Sequence, residues 1–236
     1  MSLILQIETA TASCSVALAE EGRILATKEL NERNIHAEVI TVFIDEVVTQ
    51  AGKTMAELDA IAVSSGPGSY TGLRIGVSTA KGLCYALDKP LIAVETLEAM
   101  ANGFKNNHPD LPADALLCPM IDARRMEVYT ALFDANGARV TATSAEIIDE
   151  NSFGDHLKNH QIFFFGDGAS KCRDMLAHQS NAVIIDDFVN SASFLTNGAS
   201  ERFKGAQFED VAYFEPFYLK DFIAGKKPYN SPPGVL

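Results

Sequence analysis

The sequence has few cysteines, no long apolar run and no surplus of basic residues. Cys14, Cys84, Cys118 and Cys172 are its four cysteines, and no two form a CxxC pair. Thiols scattered in this way build neither a disulfide framework nor a zinc cage, and they fit a reducing compartment. No stretch approaches the roughly 18 continuous apolar residues of a membrane-spanning helix. The apolar start at 3–7 is too short for the core of a secretory signal and has no basic lead. The expected location is the cytoplasm. Lys and Arg number 19 against 31 Asp and Glu, a net charge of −12 at pH 7. A large nucleic-acid footprint needs a basic face, which this chain does not offer by itself. A basic partner could supply one.

The rest of the composition is that of a soluble globular protein, with 47% hydrophobic and 21% charged residues. A chain of 236 residues can bury its own core without staples. Branched apolar runs at 3–8, 13–18 and 23–30, separated by short polar turns, read as three strands of an antiparallel meander. The period then changes. Ile35, Val39, Ile40, Phe43, Ile44, Val47, Val48 and Ala51 mark a helix with a wide apolar stripe, stopped at Gly52. A strand at 60–64, a helix at 73–87, a strand at 91–94 and a helix from Thr96 to about residue 104 complete the order of an RNase H-like domain. A polar loop at 106–113 follows. Beyond it the order repeats less clearly. Strands are expected at 116–121, 127–133, 139–143 and 161–165, a weak helix at 146–158, and helices at 169–177 and 192–203. The proline-bearing end, 226–236, reads as an irregular tail.

Few motifs carry chemistry. The segment from Gly66 through Gly68 and Ser69 to Gly72 lies between a strand and a helix and could cradle a phosphate. It has no Lys after its last glycine, so it is not a Walker A loop. From chemistry alone a tight, closely packed crossover is the favoured reading. Glu8, followed by Thr9, ends the first strand, where a carboxylate could face a bound nucleotide; a solvated turn is the alternative. Arg124 and Arg125 could hold an anion or simply project from a turn. Gly166 and Gly168 form a second glycine turn before a helix. His156 and His160, four apart, read as surface histidines. The stripe of the first long helix is wider than one sheet contact needs, so either a partner helix or a second layer of the same domain covers it.

Four segments together resemble the bacterial TsaB (YeaZ) family. They are Leu3-Ile-Leu-Gln-Ile-Glu-Thr9, Ser15-Val-Ala-Leu18, the eleven residues from Gly66 to Gly76, and Ile121-Asp-Ala-Arg-Arg-Met-Glu-Val-Tyr129. The likeness runs over essentially the whole chain, to Pro216-Phe-Tyr-Leu-Lys220. It implies an α/β fold of the actin/Hsp70/sugar-kinase (ASKHA) type, with two RNase H-like lobes whose mixed, five-stranded-type sheets are flanked by helices. Residues 1–105 would form the first lobe, 106–220 the second and 221–236 a tail. The chain departs from the family at Glu8, usually Asp, and Met126, usually Gly.

The family takes part in making N6-threonylcarbamoyladenosine at position 37 of tRNAs that read ANN codons. Its catalytic paralogue, TsaD, carries a metal-binding histidine pair where this chain has Thr96 and Met100, neither suited to such an ion. The resemblance therefore implies a non-catalytic subunit that dimerises with TsaD, alongside the ATPase TsaE. It would reach tRNA only through the complex. It would need no cofactor of its own, ATP or ADP and metal belonging to the partners. In isolation a homodimer on the same surface is an alternative.

The expected partner surface joins His36, Val39, Ile40, Phe43 and Val47 on the first helix to Leu73, Val77 and Lys81 on the second. Gly72, Gly76, Ala80 and Cys84, four apart, make one side of that second helix nearly flat. The competing reading is that these side chains are internal core. The competing function is an ATP-dependent kinase of ASKHA type, or a metalloprotease, acting alone. The positions of Thr96 and Met100 weigh against the protease, and a single well-placed carboxylate, Glu8, weighs against the kinase.

Overall fold

The run at the start of the chain is apolar throughout except for Gln6 and Glu8, and all six residues are buried. In a computed structural model describing residues 2–220, it becomes β1 (Leu3–Glu8), the central strand of a sheet covered on both sides. The tail expected at 221–236 lies outside the described residues. β2 (Ser13–Glu20) pairs antiparallel with β1, and β3 (Arg23–Asn31) antiparallel with β2. Helix α1 (His36–Gln50) carries the chain over the sheet to β4 (Ala60–Ser64), parallel to β1. Helix α2 (Tyr70–Leu87) then leads to β5 (Leu91–Val94), parallel to β4. The sheet order is β3-β2-β1-β4-β5.

Strand alternation sorts the side chains. Leu3, Leu5, Ile7, Val16, Ile61 and Val63 meet the stripe of α1 and the buried side of α2. Ile4, Ala17, Ala60, Ala62 and Val94 point the other way. On that side lies α3 (Thr96–Asn107), which stands between the two halves of the molecule. Its Ala99 faces the first sheet, while Leu97, Met100, Ala101 and Phe104 face the second.

The second half repeats the topology with little sequence signal. β6 (Leu116–Asp122) is central. β7 (Glu127–Thr130) and β9 (Ser144–Ile147) lie antiparallel on one side of it, β10 (Ile162–Phe165) and β11 (Ala182–Ile184) parallel on the other. The order β9-β7-β6-β10-β11 mirrors the first sheet, and β8 (Phe133–Asp134) adds a sixth strand beside β6. The strand expected at 127–133 is thus broken in two, and that expected at 139–143 forms at 144–147 instead. The weak helix expected at 146–158 shrinks to α4 (Gly154–Leu157), because its first residues are claimed by β9. Helix α5 (Arg173–Leu176) is equally short.

A division by sequence at residue 105 does not describe how 190–217 pack. After β11 the chain returns to the first sheet through a 3-10 turn (Ala192–Leu195) and α6 (Thr196–Lys204), placing Ala192, Leu195 and Ala199 on its inner face. A strap follows. Glu209 donates its N–H to the Leu91 carbonyl, and Phe217 its N–H to that of Ser65, at 2.9 and 2.7 Å. The span expected to be the second lobe therefore contains part of the first. Local period cannot show this, since an apolar helix face does not say which sheet it will cover.

Candidate functional site

The glycine segment is shaped by close packing. A Cβ on Gly68 would stand 2.4 Å from the Ala10 carbonyl oxygen, and one on Gly72 2.0 Å from that of Thr9. One on Gly76 would stand 2.2 Å from Thr9 Oγ1. The start of α2 thus presses directly on the turn after β1. Ser69 caps the helix, its Oγ accepting the Gly72 N–H at 3.2 Å, and its own N–H goes to Ala10 O at 2.7 Å. Gly66, at φ 115°, has Phe217 O where a Cβ would go. Thr9, fully buried, donates its hydroxyl to Gly72 O at 2.8 Å. The geometry supports the packed-crossover reading, in which Gly66, Gly68, Ser69 and Thr9 serve the close approach of the two segments.

Glu8 is neither a solvated turn residue nor a group open to the cleft: it is fully buried. Its Oε1 accepts the Ala10 N–H at 2.5 Å. Ser64 on β4 and Asn190 on the returning segment face the carboxyl. Yet Glu8 Oε2, Ser64 Oγ and Asn190 Nδ2 make no hydrogen bond of normal geometry. Burial pushes the Glu8 carboxyl up to about 7, against the opposing pull of these neighbours and the Ala10 N–H. The same sheet face carries a row of polar groups bonded to the returning segment. Thr196 donates to Gln6 Oε1 at 2.9 Å, Ala192 N–H to Ser15 Oγ at 3.0 Å, and Ser191 to Glu29 Oε2 at 2.8 Å. Sequence reading missed this row. Its one signal was Gln6 and Glu8 at alternate positions of an otherwise apolar strand, which places both on one face.

In the second half, Gly166 and Gly168 are packing glycines too. Cβ atoms there would meet Met120 O at 2.4 Å and Val128 Cγ1 at 2.9 Å. The Gly168 N–H is spent on Met120 O at 3.0 Å. Arg124 and Arg125 sit at positive φ on an exposed turn, closed by Asp122 Oδ1 accepting the Arg124 N–H at 2.9 Å. Thr96 is buried and its Oγ1 accepts the Gly66 N–H at 3.1 Å. Met100 is buried against Gly166. Glu98 is held by Arg202 through two hydrogen bonds of 2.9 Å. Among the described residues, no three His, Cys, Asp or Glu side chains gather as a metal site would require.

The expected partner surface is corrected most. Ile40, Phe43, Val47, Leu73 and Val77 are each no more than 7% exposed and belong to this chain's own core. The wide arc of α1 is absorbed because the helix packs on two strands and on α2 together. His36 is buried, with Nε2 3.0 Å from Thr11 O. Lys81 donates to the carbonyls of Ala212 and Phe214 at 3.2 and 2.9 Å, pinning the strap on α2. Val39 is half-buried against the core. The outward sides of the two helices carry other apolar groups: Val42 at 51% and Tyr85 at 87% exposure, with Ile75 and Leu83 half-buried.

Comparison with known proteins agrees with this architecture. A family model described as TsaD, tRNA N6-adenosine threonylcarbamoyltransferase, matches residues 23–224. The tRNA threonylcarbamoyladenosine biosynthesis protein TsaB of Escherichia coli K12 is 32% identical over 232 residues, 95% of this chain and 97% of that one. The solved structure of YeaZ from Pseudomonas aeruginosa superposes with a TM-score of 0.77 at 27% identity, covering 93% of this chain and all of that one. At the level of fold alone, the ADPNP-bound activator of the 2-hydroxyisocaproyl-CoA dehydratase from Clostridium difficile superposes with a TM-score of 0.50 at 10% identity, over 87% of this chain and 96% of that one. Two sheets of one topology, a glycine segment packed on the β1 turn, and similarity along nearly the full length lead to one assignment: the chain belongs to the TsaB (YeaZ) family, within the wider group that the TsaD model describes.

Proposed function

We propose that this chain is a non-catalytic subunit in the formation of N6-threonylcarbamoyladenosine in tRNA, and that it acts by docking on the transferase TsaD. The observation that carries the proposal is the filled turn region. The groups that would face a nucleotide, Glu8 and Thr9, are fully buried under the chain's own glycine segment. Thr96 and Met100 serve packing instead of ligation. A scaffold has no need of an open cleft; a kinase or a metalloprotease does. On this reading nucleotide and metal belong to partner subunits, TsaE supplies ATPase activity, and tRNA is held by the complex. The net charge of −12 agrees with that division of labour.

The docking surface fits the outward sides of α1 and α2, where Val42 and Tyr85 are exposed, Ile75 and Leu83 half-buried, and the small residues Ser78 and Gly82 exposed on α2. Small residues let another helix approach closely, and aromatic anchors are typical of interface centres. Co-expression with TsaD from the same organism, followed by size measurement, tests the reading. A stable one-to-one complex is expected. Failure of the two chains to associate at micromolar concentration contradicts it.

A further inference from the structure

The buried carboxyl of Glu8 lies beneath the returning segment, away from the outward sides of α1 and α2. Glu8 ends β1 on the face that receives residues 190–196. Besides Glu8 Oε2, three buried side-chain atoms of this face lack a hydrogen bond of normal geometry, Ser64 Oγ, Ser13 Oγ and Gln6 Nε2, as does Asn190 Nδ2 on the segment above them. Asn190, 4% exposed, lies over Glu8, and its Oδ1 accepts the N–H of Ser191 at 3.1 Å. The segment's next anchors are Ser191 on Glu29, Ala192 on Ser15 and Thr196 on Gln6. Water can reach Glu8 from this side only if Asn190 and its neighbours lift.

We propose that Glu8 is a proton-sensitive clasp: the segment 190–196 lies closed over a protonated Glu8, and loss of that proton to solvent favours lifting of the segment from the sheet. A protonated carboxyl has an O–H to donate as well as oxygens to accept, which suits a pocket lined by the Ser64 hydroxyl and the Asn190 amide. A buried carboxylate lacks its hydration and regains it when the segment opens. The lifted state therefore binds fewer protons than the closed one, and linkage fixes the sign. With the closed-state carboxyl near 7 and the hydrated one near the ordinary 4.5, opening becomes easier as pH rises between these values and levels off above 7.

Other titratable groups on the surrounding elements are accounted for. Cys14 on β2 is pushed up to about 11 by burial and by the Glu8 charge, so it stays a thiol throughout. Glu29 on β3 is bonded to Ser191, and His36 on α1 lies against Thr11. Tyr70 and Arg74 on α2 contact one another. Asp186, paired with Arg173, and Asp187 are exposed ahead of the segment. All of these remain in a Glu8→Gln variant, which isolates the clasp.

Amide hydrogen exchange across 190–196 in the full chain, corrected for intrinsic rates, reads the opening directly. In the native protein the protection of Ser191 and Ala192 should fall about 40-fold between pH 5 and 7 and no more than about twofold from 7 to 8.5. In Glu8→Gln it should be flat throughout. Constant protection in the native protein overturns the proposal, as does an unchanged slope in the variant. Should Glu8→Gln fail to fold, the 13C titration of the native Glu8 carboxyl decides. A midpoint near 7 is expected, and one below 5.5 overturns the clasp.

Discussion

At Gly72 a single hydrogen fixes how closely α2 can approach the β1 turn. Gly72→Ala places a methyl 2.0 Å from Thr9 O, so backbone must move. Overpacking of this kind costs about 3 kcal/mol. Gly82→Ala is the control within the same helix. Its Cβ enters open space, and removing glycine entropy from a helix interior should stabilise by ~0.5–1 kcal/mol. Urea unfolding of the two variants should show opposite shifts in midpoint. Glu8 carries a second residue-scale consequence. Its carboxyl is raised in the fold, so the native state binds more protons than the unfolded one, and stability falls as pH rises from about 4.5 through about 7. The full loss is about 3 kcal/mol. Glu8→Gln should remove that component, making the variant more stable than the native chain at pH 8 and no more stable at pH 5, as measured by urea midpoints.

Elements of the first half were legible because each has its own strong period. β1, β4 and β5 fall on their expected bounds, since a short apolar run between turn residues leaves little room for another reading. Helix α1 was equally plain, but its face was not. A stripe that covers two strands and a neighbouring helix looks from sequence like a stripe with surface to spare. Ile40 and Phe43 thus read as partner contacts and prove to be core. The glycine spacing of α2 reads as flatness, and at Gly72 and Gly76 the flat side is occupied by the chain's own Thr9. In the second half the elements are short, with α4 and α5 of four residues each, too few for a period to show. Substitutions separate core from surface on α1. Phe43→Asp buries a charge in the core and should leave no folded protein. Val42→Asp, one residue away and half exposed, should keep the native circular dichroism and melting temperature while weakening association with TsaD by about a hundredfold or more. A folded Phe43→Asp protein, or a Val42→Asp protein with native affinity, contradicts the assignment of faces.

For the molecule as a whole, two lobes of one topology are tied together more firmly than their sequence order suggests. Phe104 on α3 stacks on Phe165 of β10 with ring centroids 4.2 Å apart, and Phe188 and Phe194 continue the cluster towards the first sheet. Gly103 is a glycine because the Phe194 ring lies 2.2 Å from where a Cβ would be. The returning segment and the strap are bonded in turn to β2, β3 and α2, so the last part of the chain closes the first lobe after the second has been built. One reconstitution separates a chain that activates a partner from one that does chemistry itself. Threonylcarbamoyl-AMP and unmodified tRNA are incubated with this chain alone, with TsaD alone, and with both, and modified adenosine is quantified by mass spectrometry. No product is expected from this chain alone, and strong stimulation when it joins TsaD. Turnover by this chain alone, or the same yield from TsaD with and without it, would contradict the account.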